Sequence, residues 1–248
     1  MSIEDDDDLE ALKRIGRICA LTLDTMKNAV EPGITTAELD AIGGEVLASK
    51  GARSAPQLVY DFPGVTCISI NDEVAHGIPG DRKVEPGDLV NIDVSAELDG
   101  YFADTGSSFP VPPVDKTIDL LCRHGRRALR KALGAARAGK PMNGIGRAIE
   151  AEARRGGFQV ITNLAGHGVG RSIHEYPDGL VSYYEKSDKR KFSPGLVVAI
   201  EPFLSTGARE VTTADDGWTQ IAPDGSRTVQ YEHTVVITRS QPIVVTKC

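Results

Sequence analysis

Apolar and polar residues alternate along residues 91–105, a pattern typical of strands that are buried on one face of a sheet. Near the middle stands Asp99-Gly100, a dipeptide that favours a two-residue hairpin turn. With that turn Ser95 lies opposite Asp104, and Asp93 becomes a diagonal neighbour of Asp104 on the same face, roughly 7–8 Å away along the backbone. Two carboxylates on an inner face repel each other unless a cation or a proton lies between them. For this pair alone, a solvated outer face is the competing interpretation.

Helical periodicity of the apolar residues occurs in two pairs of segments, one pair in each half of the chain. Residues Thr35 to Glu38 form a capping box, which predicts the start of the second helix. The predicted helices cover residues 9–30, 35–51, 114–136 and, after a break at Ala138-Gly139, a segment that ends near Arg155. Strands are predicted over residues 65–70 and 196–200 and from Phe158, which a histidine-rich loop follows, and irregular loops over 52–64 and 74–86.

The shared order of elements in the two halves predicts an internal duplication. The helix pair of residues 9–51 matches the pair of residues 114–157. Pro86–Asp93 matches Pro194–Glu201, because both read Pro-Gly-x-x-Val-x-Ile followed by an acid. The sequence therefore predicts an α+β sandwich in which helices cover a central, mostly antiparallel sheet.

Duplication places four carboxylates near the axis that relates the halves. Asp93 corresponds to Glu201, and Asp104 corresponds to Glu232. Four buried negative charges would each cost several kcal/mol without compensation, and two divalent cations would neutralise them. His167, whose glycine neighbours let the backbone approach closely, would add a nitrogen ligand. Such a set suits manganese, iron(II), cobalt or zinc, and two such ions together activate water for hydrolysis.

The composition is that of an ordinary globular protein, with 40% hydrophobic and 25% charged residues. With 248 residues, one catalytic domain over 1–248 is expected, its repeated halves covering about 9–110 and 114–240. The net charge of −7 argues against direct nucleic-acid binding. The basic run of residues 123–131 has helical spacing and predicts a solvated helix face, with His124 at the surface.

The first residues lack the basic start and apolar run of a signal peptide. The longest strongly apolar stretch, residues 196–200, is far too short to cross a bilayer. The four cysteines have no Cys-x-x-Cys spacing, which argues against a zinc site or a disulfide framework; they are Cys19, Cys67, Cys122 and Cys248. These features predict a cytoplasmic protein without membrane association.

Over essentially its whole length the chain resembles a type I methionine aminopeptidase of the pita-bread fold. The resemblance depends on the central hairpin, residues 71–76, residues 166–174, Ile200-Glu201-Pro202 and residues 231–234. The five metal-ligand positions of the family occur in the same order within these motifs. The absence of a long insertion between Glu201 and Glu232 favours type I over type II.

The resemblance implies a role for each residue of the site. Asp93 and Asp104 chelate one ion, and the other is held by Asp104, His167, Glu201 and Glu232, with Asp104 and Glu232 bridging. His174 hydrogen-bonds the scissile carbonyl and its developing oxyanion, and His76 contacts the amide beyond it. Glu201 handles protons for a hydroxide that bridges the ions. The implied reaction removes the N-terminal methionine from nascent proteins whose second residue is small.

The resemblance also implies a methionine pocket, but the pocket departs from the family pattern. Phe62, Cys67 and Trp218 match it, and a thiol and an indole in an apolar wall suit a thioether. Four other pocket positions differ: Tyr60 stands in place of a histidine, Ile173 of a phenylalanine, Val59 of an aromatic residue and Pro56 of a cysteine. These changes leave open the rate and the tolerance of the second residue.

The sequence leaves three alternatives open. They are a pita-bread peptidase of different specificity, such as a proline-specific enzyme, a catalytically silent binding module on the same fold, and a metal-stabilised structural protein. The expected partners are peptide or nascent-protein N-termini, with the ribosome as one place of action, and the expected state is a monomer. His233 is expected to have a structural role. Ser95 is expected to be either a hydrogen-bond partner near the metals or a simple polar residue of its strand. The identity of the two divalent ions is not decided.

Overall fold

The computed structural model describes residues 1–247, so the prediction for Cys248 lies outside the described residues. Its helices are α1 (Asp6–Ala29), α2 (Thr36–Ser49), α3 (Ala55–Tyr60), α4 (Lys116–Ala135) and α5 (Asn143–Gly156). The N-cap of α1 is Asp5, which accepts a hydrogen bond from the backbone of Asp8, and three more acids in the first turn favour the helix dipole. The predicted capping box of α2 is present at Thr35 and Glu38. The two predicted helix pairs are thus confirmed.

Fifteen short strands are described, and each of their pairings is antiparallel. They are β1 (Arg53–Ser54), β2 (Cys67–Ile70), β3 (Glu73–Ala75), β4 (Leu89–Leu98), β5 (Tyr101–Pro110), β6 (Gln159–Val160), β7 (Ala165–Gly168), β8 (Glu175–Val181), β9 (Val197–Ile200), β10 (Phe203–Ser205), β11 (Thr212–Thr213), β12 (Gln220–Ile221), β13 (Thr228–Gln230), β14 (His233–Val236) and β15 (Ile243–Val244). One sheet contains β1, β4, β2 and β5, and a five-stranded sheet has the order β15-β14-β9-β7-β8. Helices and antiparallel strands in one chain confirm the predicted α+β class.

The central hairpin has the predicted register. Strands β4 and β5 pair along their whole length, with Ser95 opposite Asp104. Asp99 and Gly100 have φ angles of 52° and 80°, the two positive values that a type I′ turn requires. The turn therefore determines that Asp93 and Asp104 share one face.

Several observations support the predicted duplication. Each half begins with a helix pair, and the apolar core has one large cluster beneath α1 and α2 and another beneath α4 and α5. The turns that precede β4 and β9 each contain a glycine in a positive-φ conformation, at Gly87 and Gly195, with φ of 92° and 80°. An L side chain would be strained at either position.

The two halves meet where β5 lies against the segment between β13 and β14. The Thr234 hydroxyl accepts a hydrogen bond from the Asp104 N–H and donates one to the Asp104 carbonyl, both at 2.9 Å. The Glu232 N–H donates to the Gly106 carbonyl at 2.9 Å, and the Thr105 hydroxyl donates to the Glu232 carbonyl at the same distance. These bonds fix the backbone of one predicted ligand from each half.

The prediction of an irregular loop over residues 52–64 is wrong, since that segment contains β1 and α3. Ser54 caps α3 by accepting a hydrogen bond from the Gln57 N–H, and Pro56 occupies the first turn, where no N–H is needed. A two-residue strand and a six-residue helix are too short to show a hydrophobic period. The predicted loop over residues 74–86 is wrong at its start, because Val74 and Ala75 belong to β3.

The strand predicted at Phe158 begins at Gln159, and the one over residues 65–70 begins at Cys67. The histidine-rich loop that was predicted to follow is also partly wrong, because β7 contains His167. None of the helices within residues 1–247 is both long enough and apolar enough to span a bilayer.

His124 was predicted at the surface and is instead buried, because helix α5 covers that side of α4. Its Nδ1 lies 2.9 Å from the Glu152 carboxylate, which is also buried and forms an ion pair with Lys131. The spacing of the neighbouring arginines correctly predicts the exposed face of α4. His124 lies among them in sequence but faces α5.

We expect Glu152→Gln to lower the free energy of unfolding by about 2 kcal/mol, because Lys131 and His124 lose a buried anionic partner. The matched control is Glu150→Gln on the same helix, where the pairing with Arg154 is exposed, so that the loss should stay below about 1 kcal/mol. Urea denaturation of both variants measures the difference. Equal losses would show that the Glu152 network is no stronger than a surface ion pair.

Candidate metal centre

Five chain segments deliver the predicted ligands to one place. Asp93 lies on β4, Asp104 on β5 and His167 on β7, whereas Glu201 follows β9 and Glu232 lies between β13 and β14. His167 Nε2 is 3.5 Å from a Glu201 oxygen and 3.8 Å from an Asp104 oxygen. Ligand atoms of Asp104, His167 and Glu232 all lie within 4.8 Å of one another. The structure therefore brings together the residues that the duplicated pattern placed near one axis.

A glutamine that sequence reasoning missed connects two of these acids. Gln230 Nε2 donates hydrogen bonds to Asp93 Oδ2 at 3.1 Å and to Glu232 Oε2 at 3.0 Å. Its Oε1 accepts a hydrogen bond from Asn91 Nδ2 at 2.9 Å, which fixes the amide orientation. Gln230 approaches β5 at Gly106, where a Cβ atom would lie 2.1 Å from Gln230 Oε1. The available signal was the position of Gln230 two residues before Glu232.

The cluster has the electrostatics of a cation site. Burial raises the pKa of Asp93 to about 6. Burial, reinforced by the neighbouring carboxylates, raises the pKa values of Asp104, Glu201 and Glu232 well above their ordinary range. Within residues 1–247, Asp104 Oδ1 and Glu232 Oε1 are buried without a hydrogen-bond partner. Unsatisfied carboxylate oxygens of this kind are costly unless a proton or a metal ion binds them, and oxygen donors with one imidazole fit a divalent ion.

The surroundings of the His167 ring favour its neutral form. Its Nδ1 lies 3.0 Å from the Gly168 carbonyl, so that Nδ1–H can donate and Nε2 presents its lone pair to the acids. Burial, together with the nearby His174, lowers the pKa of His167 to about 3. A Cβ atom at Gly168 would lie 2.1 Å from the Tyr176 carbonyl oxygen, so only glycine allows β8 to pack this closely.

A cavity of about 290 Å³ opens beside the acids. All seven residues predicted to bind substrate line it: Tyr60, Phe62, Cys67, His76, Ile173, His174 and Trp218. Pro56 and Ser95 also line it, whereas Val59 does not. Sequence reasoning missed four apolar wall residues that no motif marks, namely Ala75, Leu164, Ala165 and Phe203.

Packing of the cavity wall positions its aromatic residues. Asp61, with φ of 55°, ends α3 and directs Phe62 inward, where Phe62 is 3% exposed. The Phe62 and Trp218 rings meet edge to face, with centroids 5.2 Å apart. Pairing of β12 with β3 brings the Trp218 segment beside His76, which follows β3 with φ of 55°.

The remaining histidines differ in their relation to the cavity. The His174 ring packs against the His167 ring, with centroids 4.1 Å apart. His233 does not line the cavity, and its Nδ1 lies 3.0 Å from the Thr246 hydroxyl. A structural role for His233 therefore stays the prediction.

Comparisons with known proteins agree with this geometry. A family model described as metallopeptidase family M24 matches residues 10–239. The chain is 52% identical to methionine aminopeptidase 2 of Bacillus subtilis over 248 residues, covering 100% of both chains. It is 46% identical to methionine aminopeptidase of Staphylococcus epidermidis, covering 100% of this chain and 99% of that one.

Solved structures give the same result for the fold. Methionine aminopeptidase from Thermotoga maritima superposes with a TM-score of 0.95 at 31% identity, with full coverage of both chains. Prolidase from Pyrococcus furiosus superposes with a TM-score of 0.79 at 22% identity, covering 99% of this chain and 65% of that one. These likenesses confirm the predicted pita-bread fold.

Proposed function

This chain belongs to metallopeptidase family M24, and from that premise we propose that it is a type I methionine aminopeptidase. It removes the N-terminal methionine from peptides and nascent proteins whose second residue is small. The clustering of the five proposed ligand side chains beside a cavity that His76 and His174 line supports this most directly. The relatives that match over the full length are named for the same activity.

The acids and His167 would hold two divalent ions. Asp93 and Asp104 would bind one ion, and Asp104, His167, Glu201 and Glu232 the other, with Asp104 and Glu232 shared. When bound, such ions lower the pKa of water and polarise the scissile carbonyl. Manganese, iron(II), cobalt and zinc all suit these donors.

The protein's own groups would position the peptide and move protons. Glu201 lies 3.5 Å from His167 Nε2 beside the cavity, where it would accept a proton from the attacking water and pass it to the leaving amine. His174 would donate a hydrogen bond to the carbonyl oxygen as negative charge develops there. His76, across the same cavity, would hold the next amide.

The apolar wall would select the first side chain. Phe62, Cys67, Ile173 and Trp218 surround a space that suits an unbranched thioether. The departures from the family pattern at Tyr60 and Ile173 also face this space, whereas Val59 does not line it. We therefore expect methionine to remain the preferred first residue.

Phe62→Leu is expected to raise KM for a methionine peptide about three- to tenfold, because the variant loses the aromatic wall of the pocket. The emission of Trp218, the only tryptophan, should shift as well, since Phe62 contacts its indole. Phe109→Leu is the matched control, since Phe109 packs against the core beneath α1 and α2 and does not line the cavity. Equal changes in KM for the two variants would remove Phe62 from the methionine pocket.

The proposal includes a monomer that acts in the cytoplasm, with the ribosome as one place where nascent chains are met. All proposed ligands come from one chain, so a second copy is not needed to complete the site. The scattered cysteines suit a reducing compartment.

A matched peptide set tests the proposal against its alternatives. The substrates are Met-Ala-Ser, Leu-Ala-Ser and Ala-Pro-Ala, assayed with metal-stripped protein and with protein reloaded with manganese or cobalt. We expect metal-dependent cleavage of the methionine peptide alone. Cleavage of the other peptides instead would indicate an aminopeptidase of different specificity, and metal binding without cleavage would indicate a binding module.

A further inference from the structure

A hydrogen bond at the wall of the cavity joins Tyr60 to His174. The Tyr60 hydroxyl oxygen lies 2.6 Å from His174 Nδ1, and the two ring centroids are 5.7 Å apart with planes inclined by 51°. In the part of the chain that the structure describes, no other hydrogen bond to the His174 ring is found. Besides packing against His167, this bond is therefore what orients the ring.

The backbone around Tyr60 is well anchored. Tyr60 is the last residue of α3, whose capping residue Ser54 donates a hydrogen bond from its hydroxyl to the Val65 carbonyl at 2.7 Å. The Asp61 and Phe62 N–H groups both bond back to the Pro56 carbonyl, which closes the helix. Tyr60 is 41% exposed, but the position of its hydroxyl is thus set by a short, capped helix.

The direction of this hydrogen bond and the tautomer of the His174 ring depend on each other. A neutral imidazole has one N–H, so if Nδ1 accepts a hydrogen bond the proton must be on Nε2. An Nε2–H group is a donor for a carbonyl oxygen, whereas the other tautomer would present a lone pair to that oxygen and repel it.

We infer that Tyr60 is a positioning residue, whose hydroxyl donates to His174 Nδ1 and holds His174 in the Nε2–H tautomer that hydrogen-bonds the scissile carbonyl. The role of His174 in this inference rests on the proposed function. Position 60 departs from the family pattern, in which a histidine stands there. In this chain the hydrogen bond to His174 Nδ1 therefore comes from a phenolic hydroxyl.

Nitrogen-15 spectroscopy of histidine-labelled, zinc-loaded protein tests the tautomer without substrate. The chain has five histidines, and the His174 signals are assigned by their loss in His174→Gln. We expect the Nε2–H pattern for wild-type His174 and a mixture of tautomers in Tyr60→Phe. The same variant should lower kcat about three- to tenfold and change KM less than twofold, the effect of losing one neutral hydrogen bond.

Val59→Ala is the control, since Val59 is exposed on the same helix and does not line the cavity. A proton on Nδ1 in the wild type, or an unchanged spectrum and kcat in Tyr60→Phe, would overturn the role of Tyr60. Failure of the wild type to cleave any methionine peptide would instead overturn the proposed function. The two failures are therefore distinguishable.

Discussion

Asp104→Asn is expected to lower kcat/KM for a methionine peptide at least about a thousandfold, which corresponds to roughly 4 kcal/mol of transition-state stabilisation. Asp104 is one of the two acids that both proposed ions would share. One of its carboxylate oxygens lies 3.8 Å from His167 Nε2, and one lies within 4.8 Å of donor atoms of His167 and Glu232. The asparagine amide has one acceptor oxygen and no charge, whereas the aspartate carboxylate offers two oxygens and a negative charge to the two ions. Isothermal titration with manganese should show the same loss as the peptide assay.

Asp24→Asn is the control for this substitution, since Asp24 is exposed on α1 and does not line the active-site cavity. It changes the net charge of the protein by the same amount and should leave both readouts unchanged. If Asp104→Asn retained manganese affinity and more than a tenth of the activity, a shared acid at this position would be ruled out.

The free energy of unfolding of the metal-free protein is expected to fall as pH rises from about 4 to 7. The pKa of buried Asp93 is about 6 in the folded chain, against 3.8 for an ordinary aspartate. Between these values the folded state binds more protons than the unfolded state, so the free energy of unfolding falls with increasing pH. The raised pKa values of Asp104, Glu201 and Glu232 act in the same direction as that of Asp93.

Denaturation of stripped and manganese-loaded protein at pH 5.5 and 7.5 measures this effect. We expect the midpoint of the stripped protein to be lower at pH 7.5, and loading to restore it mainly at the higher pH, because the ions then replace protons among the acids. Other titrating groups contribute equally to both samples, so the difference between them reports the cluster. If the difference in midpoint between the manganese-loaded and the stripped protein were the same at both pH values, protons and metal ions would not compete for these acids.

The hairpin shows how much of the site could be predicted from sequence. Local turn chemistry at Asp99-Gly100 determines the register of β4 against β5, so the shared face of Asp93 and Asp104 follows from a dipeptide. The motif of residues 86–93, which runs into β4, matches the motif of residues 194–201, which contains β9. This match added Glu201 to the pair of predicted acids. These features are local or repeated, and both kinds of signal are visible in one sequence.

The features that could not be predicted depend on contacts between distant segments. His124 is buried only because α5 packs on α4, and Gln230 meets Asp93 only when β13 lies against β5. The bond from Tyr60 to His174 spans 114 positions and depends on α3, an element too short to have a recognisable period. Each required the tertiary structure, since no local pattern distinguishes these residues from solvated polar ones.

The most direct test of the metal centre is an anomalous difference map from crystals of the manganese-loaded protein. We expect two peaks per chain, one beside Asp93 and Asp104 and one among Asp104, His167, Glu201 and Glu232. A single peak elsewhere, or none within bonding distance of these five side chains in fully active protein, would contradict the proposed site.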